Sequence, residues 1–437
     1  MSTPFTLRSA LALALAAAMT PAVAGSEDEV AYSVRAGETL IGISRAVLVE
    51  PHQWVRLQTL NRIVDPYHIM PGTVLRIPAA MMRRDPATAS VVAVSGDVRA
   101  NGNALSANAK LEGGANLSTG DQSFATIELI DGSRLVLQPR SRMTIEELSR
   151  FRNTNSLQSR FRLDAGRLES IVTKTAAPRP RYTVDTPAAS MGVRGTRFRV
   201  GSDDASGASQ AEVTDGTVGV QGGGGKAAAV GAGFGVLASA SGQVSPPVAL
   251  LPAPDVAGLP QLQERTVVRF AVPPQAGAHA YRFQVGADAQ MRQVLAENTS
   301  AKPEAKFGDL PDGQYLLRVR GVDAQGLEGR DADFAFHLKA RPEPPFVVAP
   351  VGGSKQSAET IDLSWTSNPD ATHYRIQLAR NDRFADPVTD IDVAATSIRP
   401  LPKLPPGEYW WRARSLRGDG DTGPWGDAQR FILKPVP

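Results

Sequence analysis

The C-terminal part of the sequence contains an internal repeat, which constrains the fold more than any other feature. The motif Leu310-Pro311-Asp312-Gly313-Gln314-Tyr315 recurs 94 residues later as Leu404-Pro405-Pro406-Gly407-Glu408-Tyr409, and Arg318 and Arg320 recur at the same offset as Arg412 and Arg414. Around these motifs, apolar and polar residues alternate as they do in β-strands. We therefore expect two copies of one β-sandwich domain, at residues 262–340 and 344–436.

The composition predicts a mainly β, multidomain chain. Its 437 residues correspond to about three domains at roughly 150 residues each. The 40 Gly and 33 Pro are typical of short strands joined by turns. Cysteine is absent, which excludes disulfides, thiol nucleophiles and cysteine-bound metals. With 47 basic and 44 acidic residues, the net charge of +3 excludes a polycationic protein that coats nucleic acid.

Residues 1–24 have the pattern of a secretory signal peptide. Arg8 precedes an apolar run from Leu11 to Met19, and Ala22 and Ala24 follow at the spacing of a cleavage site. The run is shorter than the ~20 residues that cross a bilayer. We expect a cleaved signal and a mature chain in the periplasm or cell envelope, without a transmembrane segment. The alternative is an uncleaved membrane anchor.

Residues 30–79 predict a small β-α-α-β module. Tyr32-Ser33-Val34 alternates as a strand, Thr39 is placed to cap a first helix, Pro51 suits the first turn of a second, and residues 74–78 form the closing strand. The apolar faces of the two helices would consist of Leu40, Ile43 and Val47, and of Trp54, Leu57 and Leu60.

A set of residues spaced over this module resembles a known family. The set consists of Tyr32, Val34, Gly37-Glu38-Thr39-Leu40, Ile43, Leu60-Asn61, Asp65-Pro66, Ile69, Pro71-Gly72, Leu75 and Ile77-Pro78. It resembles the LysM peptidoglycan-binding module, which implies a groove for N-acetylglucosamine-containing glycan strands between two loops. By this resemblance the glycan-binding residues would be Gly37, Glu38, Thr39 and Leu40 on one side and Val64, Asp65, Pro66, Tyr67, His68 and Ile69 on the other.

The chemistry of such a groove needs no ionised catalyst. An N-acetylated sugar is neutral, so backbone amides and carbonyls with an apolar floor can hold it. The alternative for Leu40 is a place in the core, which is the preferred interpretation of its side chain. His68 has only His52 nearby in the sequence, too few ligands for a metal, so we expect neither metal nor cofactor. One shallow groove predicts weak binding, with a dissociation constant of about micromolar to millimolar.

Residues 88–245 predict an all-β domain. Segments of alternating apolar residues flank four dipeptides that favour turns, Gly96-Asp97, Asp131-Gly132, Ala165-Gly166 and Asp215-Gly216. Each dipeptide indicates a hairpin. A series of hairpins with little helix is compatible with a sandwich, a barrel or a solenoid.

This segment also resembles a known family. The matching residues are Val94, Gly96, Val98, Gly120-Asp121, Ala125, Ile127, Leu129, Asp131-Gly132-Ser133, Leu135, Gly166-Arg167-Leu168, Thr186-Pro187, Gly192-Val193-Arg194-Gly195-Thr196, Phe198, Val213, Asp215-Gly216 and Val218. They resemble the FecR family, whose best-known members carry this domain in the periplasm and signal through one membrane span to a sigma-factor-binding segment. Only about ten residues precede the apolar run here. We therefore expect the extracytoplasmic fold without the cytoplasmic regulatory segment.

Two groups of side chains leave alternatives open. Residues 131–200 hold 14 basic and 6 acidic residues, which fits a surface for anionic envelope material or, preferably, the solvated faces of strands. Trp410 and Trp411 are neighbours on a predicted strand, so their side chains point in opposite directions. One of them belongs in the core. The other either packs near Trp425, which is preferred, or is an exposed contact.

No catalytic motif is found. The histidines are scattered over the predicted modules, and neither Gly-x-Ser-x-Gly nor His-Glu-x-x-His occurs. A non-catalytic envelope protein is therefore the favoured interpretation. It would bind peptidoglycan through the LysM-like module and present the FecR-like domain and the two sandwiches, which resemble fibronectin type III-like domains, to an envelope or outer-membrane protein. Nucleic acid is not an expected partner. The alternative is a periplasmic sensor or regulatory component of envelope signalling that uses the FecR-like domain.

Overall fold

The structure is a computed structural model that describes residues 28–174, 181–223, 225, 227–357, 361–399 and 404–435. The predicted signal peptide lies outside the described residues. As predicted, the fold is mainly β, with two short α-helices among the described residues. The chain divides into two compact units, whose described parts are residues 28–83 with 151–154, and residues 84–150, 155–174 and 181–435.

The first unit contains the LysM-like module. Strand β1 (Glu29–Ser33) pairs antiparallel with β2 (Val74–Pro78), and α1 (Leu40–Val47) and α2 (Trp54–Asn61) lie between them in sequence. Two short 3-10 helices cover Pro51–Gln53 and Ala79–Met81. The core is apolar and contains Val30, Tyr32, Leu40, Ile43, Val47, Leu57, Leu75, Ile77 and Phe151.

The second helix differs from the prediction in two respects. Pro51 lies in the preceding 3-10 helix, and the α-helix begins at Trp54. Of the predicted inner face, Leu57 is buried, whereas Trp54 and Leu60 are half-buried. Leu57 is therefore the one fully buried side chain of this helix.

The FecR-like domain of the second unit consists of short strands. They are β3 (Arg84–Pro86), β4 (Ala89–Ser95), β5 (Val98–Ala100), β6 (Asn103–Ala104), β7 (Lys110–Leu111), β8 (Asn116–Thr119), β9 (Phe124–Glu128), β10 (Arg134–Leu137), β11 (Arg142–Phe151), β12 (Leu157–Ile171), β13 (Tyr182–Asp185), β14 (Ala189–Val193), β15 (Arg197–Ser202), β16 (Ser209–Asp215), β17 (Thr217–Gly222), β18 (Ala228–Gly231), β19 (Phe234–Ala238) and β20 (Val248–Ala249).

These strands form two ladders that share β12, in a pairing network that closes on itself. One ladder has the order β7-β4-β9-β10-β12-β15-β16-β19-β20. The other has the order β6-β5-β8-β11-β12-β13-β14-β17-β18. Apolar side chains of both ladders belong to one core, which includes Ile127, Leu163, Val184 and Val213.

Three of the four predicted hairpins are wrong. Asp131-Gly132 does join two strands that pair with each other, β9 and β10. At Gly96 and Gly216 the chain instead passes from one ladder to the other, and Gly166 lies within the continuous strand β12. All three glycines have φ between 75° and 87°. Glycine permits this positive φ, and at these three positions the chain bends instead of reversing.

The two repeats have equivalent principal sheets. Strands of the first repeat are β21 (Leu262–Gln263), β22 (Val268–Ala271), β23 (Ala280–Gly286), β24 (Val294–Ser300), β25 (Glu304–Phe307), β26 (Gly313–Val322) and β27 (Ala332–Leu338). Those of the second are β28 (Val347–Ala349), β29 (Lys355–Ser357), β30 (Leu363–Trp365), β31 (His373–Ala379), β32 (Thr389–Val393), β33 (Ser397–Ile398), β34 (Gly407–Leu416) and β35 (Gln429–Lys434). The five-stranded sheets have the matching orders β21-β27-β26-β23-β24 and β29-β35-β34-β31-β32.

The adjacent tryptophans of β34 do lie on opposite faces. Trp411 is fully buried in the core of the second repeat, and its indole N–H donates to the carbonyl oxygen of Pro350 at 2.9 Å. Trp410 lies on the outer face, where the Arg430 guanidinium carbon is 5.8 Å from the centre of its ring. Trp425 instead contacts other arginines of the same face. The preferred interpretation, in which Trp410 packs near Trp425, is therefore not what these ring contacts show.

A buried network of opposite charges joins the FecR-like domain to the first repeat. Glu169 on β12 accepts a hydrogen bond from Arg320 on β26 at 2.7 Å, and Arg318 lies 3.5 Å from the same carboxylate. Arg199 on β15 donates to Asp331 of the first repeat at 3.2 Å. An apolar cluster beside the charges consists of Phe124, Val136, Met291, Val294 and Leu316. Polar and apolar contacts thus hold the two domains together.

Most carboxyl groups of this network are held in the ionised form. Arg320 pairs with Glu328 at 2.9 Å and with Asp331 at 2.5 Å. Burial opposes ionisation, but the neighbouring guanidinium groups outweigh burial and lower the pKa of Glu169, Glu328 and Asp331. Glu212 differs, because burial raises its pKa more than the nearby arginines lower it. The charges therefore depend on one another to remain buried.

The basic side chains of residues 131–200 described below do not gather on one surface. Arg167 and Arg199 enter the buried network. Others pair with nearby acids on the outside, as Arg142 with Asp204, Arg160 with Asp185 and Arg162 with Asp164. These side chains thus serve several separate contacts.

We predict that replacing Arg320 by methionine (R320M) destabilises the chain by about 3–5 kcal/mol, because three buried carboxylates then lose a shared cation. The matched control is R414M at the equivalent position of the second repeat, where a cation–π contact worth about 0.5–1 kcal/mol is lost. Urea unfolding measures both. Equal losses for the two variants would show that the network does not stabilise the domain pair.

Candidate functional site

The two loops predicted to form the groove are connected by their backbones. The N–H of Leu40, at the start of α1, donates to the carbonyl oxygen of Pro66 at 2.8 Å. Gly37 turns the chain before the helix with φ of 80°, and no atom lies within 4 Å of the position that a Cβ would take. The backbone at Gly37 is therefore not covered by a side chain, beside the second loop.

Glu38 supports the first loop from within. Its carboxylate accepts hydrogen bonds from the Tyr32 hydroxyl and from the Arg35 N–H, both at 2.8 Å. Burial, together with this carboxylate, raises the pKa of Tyr32 to about 12, so the hydroxyl remains a donor. The Glu38 carboxylate is thus already hydrogen-bonded within the module. These bonds leave it fewer free lone pairs for the predicted contact with a glycan.

Thr39 and Leu40 begin α1 as the sequence predicts. The Thr39 hydroxyl accepts from the Gly42 N–H at 3.0 Å, which is the expected N-cap. Leu40 is fully buried in the core of the module. Its side chain therefore does not line a groove, in agreement with the core interpretation.

The second loop is shaped by Asp65. Its carboxylate accepts from the Tyr67 N–H and contacts Nδ1 of His68, both at 2.8 Å. The Tyr67 N–H, followed by His68, lowers the pKa of Asp65. His68 is thereby paired within its own loop. Across the described residues, no group of three His, Asp or Glu side chains is arranged to hold a metal ion.

The second loop exposes apolar side chains to solvent. Val64 is 96% exposed and Tyr67 63% exposed, while Pro66 and Ile69 are half-buried. Met70, 80% exposed, and the exposed Val74 extend this apolar segment. The sequence analysis missed these two residues. The available signal was the apolar Met70 directly before the Pro71-Gly72 turn, where a polar residue is more common.

This arrangement can hold a neutral, partly apolar ligand. An exposed tyrosine ring offers a flat surface to a sugar ring, and its hydroxyl remains available to water or ligand. Backbone groups beside Gly37 offer hydrogen bonds without charge. Six of the predicted residues, Val64 to Ile69, form one continuous segment, and Leu40 is tied to that segment only through its backbone.

A second concave region lies between the FecR-like domain and the first repeat. The cleft has a volume of about 880 Å³. Its carboxylates are already engaged, because Asp203 accepts from two backbone N–H groups and Glu297 from Arg282 and Gln284. Glu328, also in the lining, belongs to the buried network. These three acids therefore take part in contacts within the chain.

Comparison with protein families confirms both resemblances. The model of the LysM domain family matches residues 32–78. The model of the FecR protein family matches residues 115–219. Both are families of binding or regulatory domains without catalytic activity. No curated protein matches the chain.

Solved structures give weaker likenesses. A proposed anti-sigma factor from Parabacteroides distasonis is 15% identical, with a TM-score of 0.25 over 30% of this chain. The chain spans only 57% of that structure's length. Fibronectin(III)-like modules of CbhA from Clostridium thermocellum are 13% identical, with a TM-score of 0.18, and cover 42% of this chain and 93% of theirs. Two fibronectin type III domains of chicken tenascin are 16% identical, with a TM-score of 0.18, and the match covers 39% of this chain and 94% of theirs. At these TM-scores the likenesses support no functional conclusion.

The α-helices α1 and α2 have eight residues each. Among the described residues, none is both long and apolar enough to cross a bilayer.

We predict that T39A exposes the start of α1, because the Gly42 N–H loses its acceptor and an N-cap is worth about 1 kcal/mol. Hydrogen exchange of the peptide around residues 38–45, followed by mass spectrometry of the full chain, should become about fivefold faster. T59A is the control, since the Thr59 hydroxyl only donates to the Val55 carbonyl oxygen within α2. Unchanged exchange in T39A would contradict the assigned cap.

Proposed function

We propose that this protein is a non-catalytic, exported envelope protein that binds the N-acetylglucosamine glycan of peptidoglycan through its LysM-like module. The observation that carries this proposal is the apolar, solvent-exposed loop from Val64 to Met70, joined to the start of α1 by the Leu40–Pro66 hydrogen bond. The LysM family match to residues 32–78 supports the same ligand class. Families of both matched types are typical of the cell envelope.

In this proposal the glycan lies along the two loops. The contacts would come from Gly37, Glu38 and Thr39 of the first loop and from the segment 64–69 of the second. Tyr67 supplies an exposed aromatic ring to that segment, and its N–H donates to the Asp65 carboxylate. Leu40 contributes only by holding the loops together. Neutral contacts of this kind are independent of salt, unlike contacts to phosphate or carboxylate groups.

The rest of the chain would act as a scaffold. The buried charges and the apolar cluster make the FecR-like domain and the first repeat one continuous body. Such a body would present its outer surfaces to a partner. Envelope signalling through the FecR-like domain is a second candidate, favoured by the FecR family match to residues 115–219.

We predict that the full chain co-sediments with purified peptidoglycan and that D65A/Y67A reduces the bound fraction at least about tenfold. The double variant removes the exposed ring and the carboxylate that shapes its loop, and a tenfold loss corresponds to about 1.4 kcal/mol. The control is V55A, since Val55 is also exposed but lies on α2. Circular dichroism should show that all three proteins are folded.

Two outcomes would contradict the proposal. Equal sedimentation of D65A/Y67A and the native chain would exclude the two loops as the binding site. Release of soluble glycan fragments by the native chain would show catalysis and exclude a purely binding function.

A further inference from the structure

The two repeats carry the same polar pattern on the outer face of the principal sheet. In the first repeat Arg282 lies opposite Arg320, and Gln284 lies opposite Arg318. In the second repeat the corresponding pairs are Arg375 with Arg414 and Gln377 with Arg412. The edge strands match as well, because Glu297 receives hydrogen bonds from Arg282 and Gln284, as Asp390 does from Arg375 and Gln377. These positions are therefore equivalent in the two faces.

In the first repeat this face is an interface within the chain. Arg282, Arg318 and Arg320 are only 7%, 3% and 1% exposed, because the FecR-like domain covers them. The FecR-like domain contributes the carboxylate of Glu169 to two of these arginines. Phe124 and Val136 of the FecR-like domain also pack against Leu316, which precedes the two arginines on β26. Carboxylate and apolar side chains together form the complementary surface.

In the second repeat the same face keeps Asp390, but two other carboxylates of the network have no counterpart. The bridge between Val322 and Glu328 corresponds to that between Leu416 and Thr422, so threonine replaces one carboxylate of the network. The second carboxylate, Asp331, has Trp425 as its counterpart 94 residues later. We call Arg375, Trp410, Arg412, Arg414 and Trp425 the arginine face.

Arg375 pairs with Asp390 at 2.7 Å, whereas Arg412 and Arg414 contact a ring and an amide instead of a carboxylate. Arg412 donates to the Gln377 side-chain oxygen at 2.7 Å and lies 4.4 Å from the Trp425 ring. Arg414 lies 4.6 Å from the same ring, and its buried Nε has no hydrogen-bond acceptor among the described residues. Burial and neighbouring arginines lower the pKa of both groups. An additional carboxylate would satisfy this donor and offset the repulsion.

We propose that the arginine face is a docking surface for another protein, one whose β-sheet surface presents carboxylates flanked by apolar side chains. The FecR-like domain presents this chemistry to the equivalent face of the first repeat. Trp410, which corresponds to Leu316, would enter an apolar contact, and Arg412 and Arg414 would pair with the carboxylates. The inference rests on the scaffold part of the proposed function and names the class of partner that the scaffold receives.

The surroundings of the face favour this occupant over others. A second copy of the chain has no free Glu169, because its own first repeat covers that carboxylate. A phosphate-rich lipid surface would meet the exposed carboxylates of Asp390 and Asp392 beside the arginines. Like charges at such a position select against a uniformly anionic surface. A protein surface can place its carboxylates at the arginines alone.

The experiment uses the full chain in the cells that produce it, with a photo-crosslinking phenylalanine analogue in place of Glu408, which is exposed on the same side of β34. We expect one protein adduct, whose yield falls at least about tenfold in R412Q/R414Q. K302Q/R399Q is the matched control, since it removes two positive charges from exposed positions outside the face. It should leave the adduct unchanged. Urea unfolding shows whether each variant is folded.

The identity of the adduct decides the proposal. The partner should carry Asp or Glu at the crosslinked surface. Replacing these residues by lysine should abolish the complex with the native chain and restore it with R412E/R414E. The proposal is overturned by no adduct, by an adduct with a second copy, lipid or glycan, or by equal yield in R412Q/R414Q. Peptidoglycan co-sedimentation of R412Q/R414Q should remain native, so a failure here is distinct from a failure of glycan binding.

Discussion

The buried charges between β12, β15 and the first repeat are the interaction on which the second unit depends. Arginines and carboxylates from two predicted domains share one environment, where each charge is tolerated because its neighbours are opposite. Such groups lose a large solvation energy, and they recover it only in a fixed arrangement. The network and the apolar cluster beside it together hold the FecR-like domain against the first repeat.

This network was outside the reach of the sequence. Arg318 and Arg320 were visible as part of the repeat, and Arg167 and Arg199 as part of a basic stretch, but the sequence does not show that these pairs meet. The FecR-like corners show a related limit. A glycine such as Gly166 signals a positive φ, yet a bend within one strand and a reversal between two strands require the same residue. Local chemistry was predictable, whereas partners distant in sequence were not.

The local geometry of the two loops was more accessible from the sequence than the domain interface. Thr39 caps α1 as expected, and the loop from Val64 to Ile69 is exposed apart from half-buried Pro66 and Ile69. These features follow from local residue preferences, which short-range sequence patterns report well. The roles within the site were less accessible. Glu38 supports Tyr32, and Leu40 belongs to the core, because each side chain finds its partner inside the module.

In the proposed function, two loops of the LysM-like module hold a neutral cell-wall sugar without chemical change. Hydrogen-exchange mass spectrometry of the full chain, with and without a linear N-acetylglucosamine tetramer, tests this most directly. The account predicts slower exchange confined to residues 37–42 and 64–70, and an intact tetramer afterwards. No protection, protection confined to another part of the chain, or a shortened tetramer would contradict it.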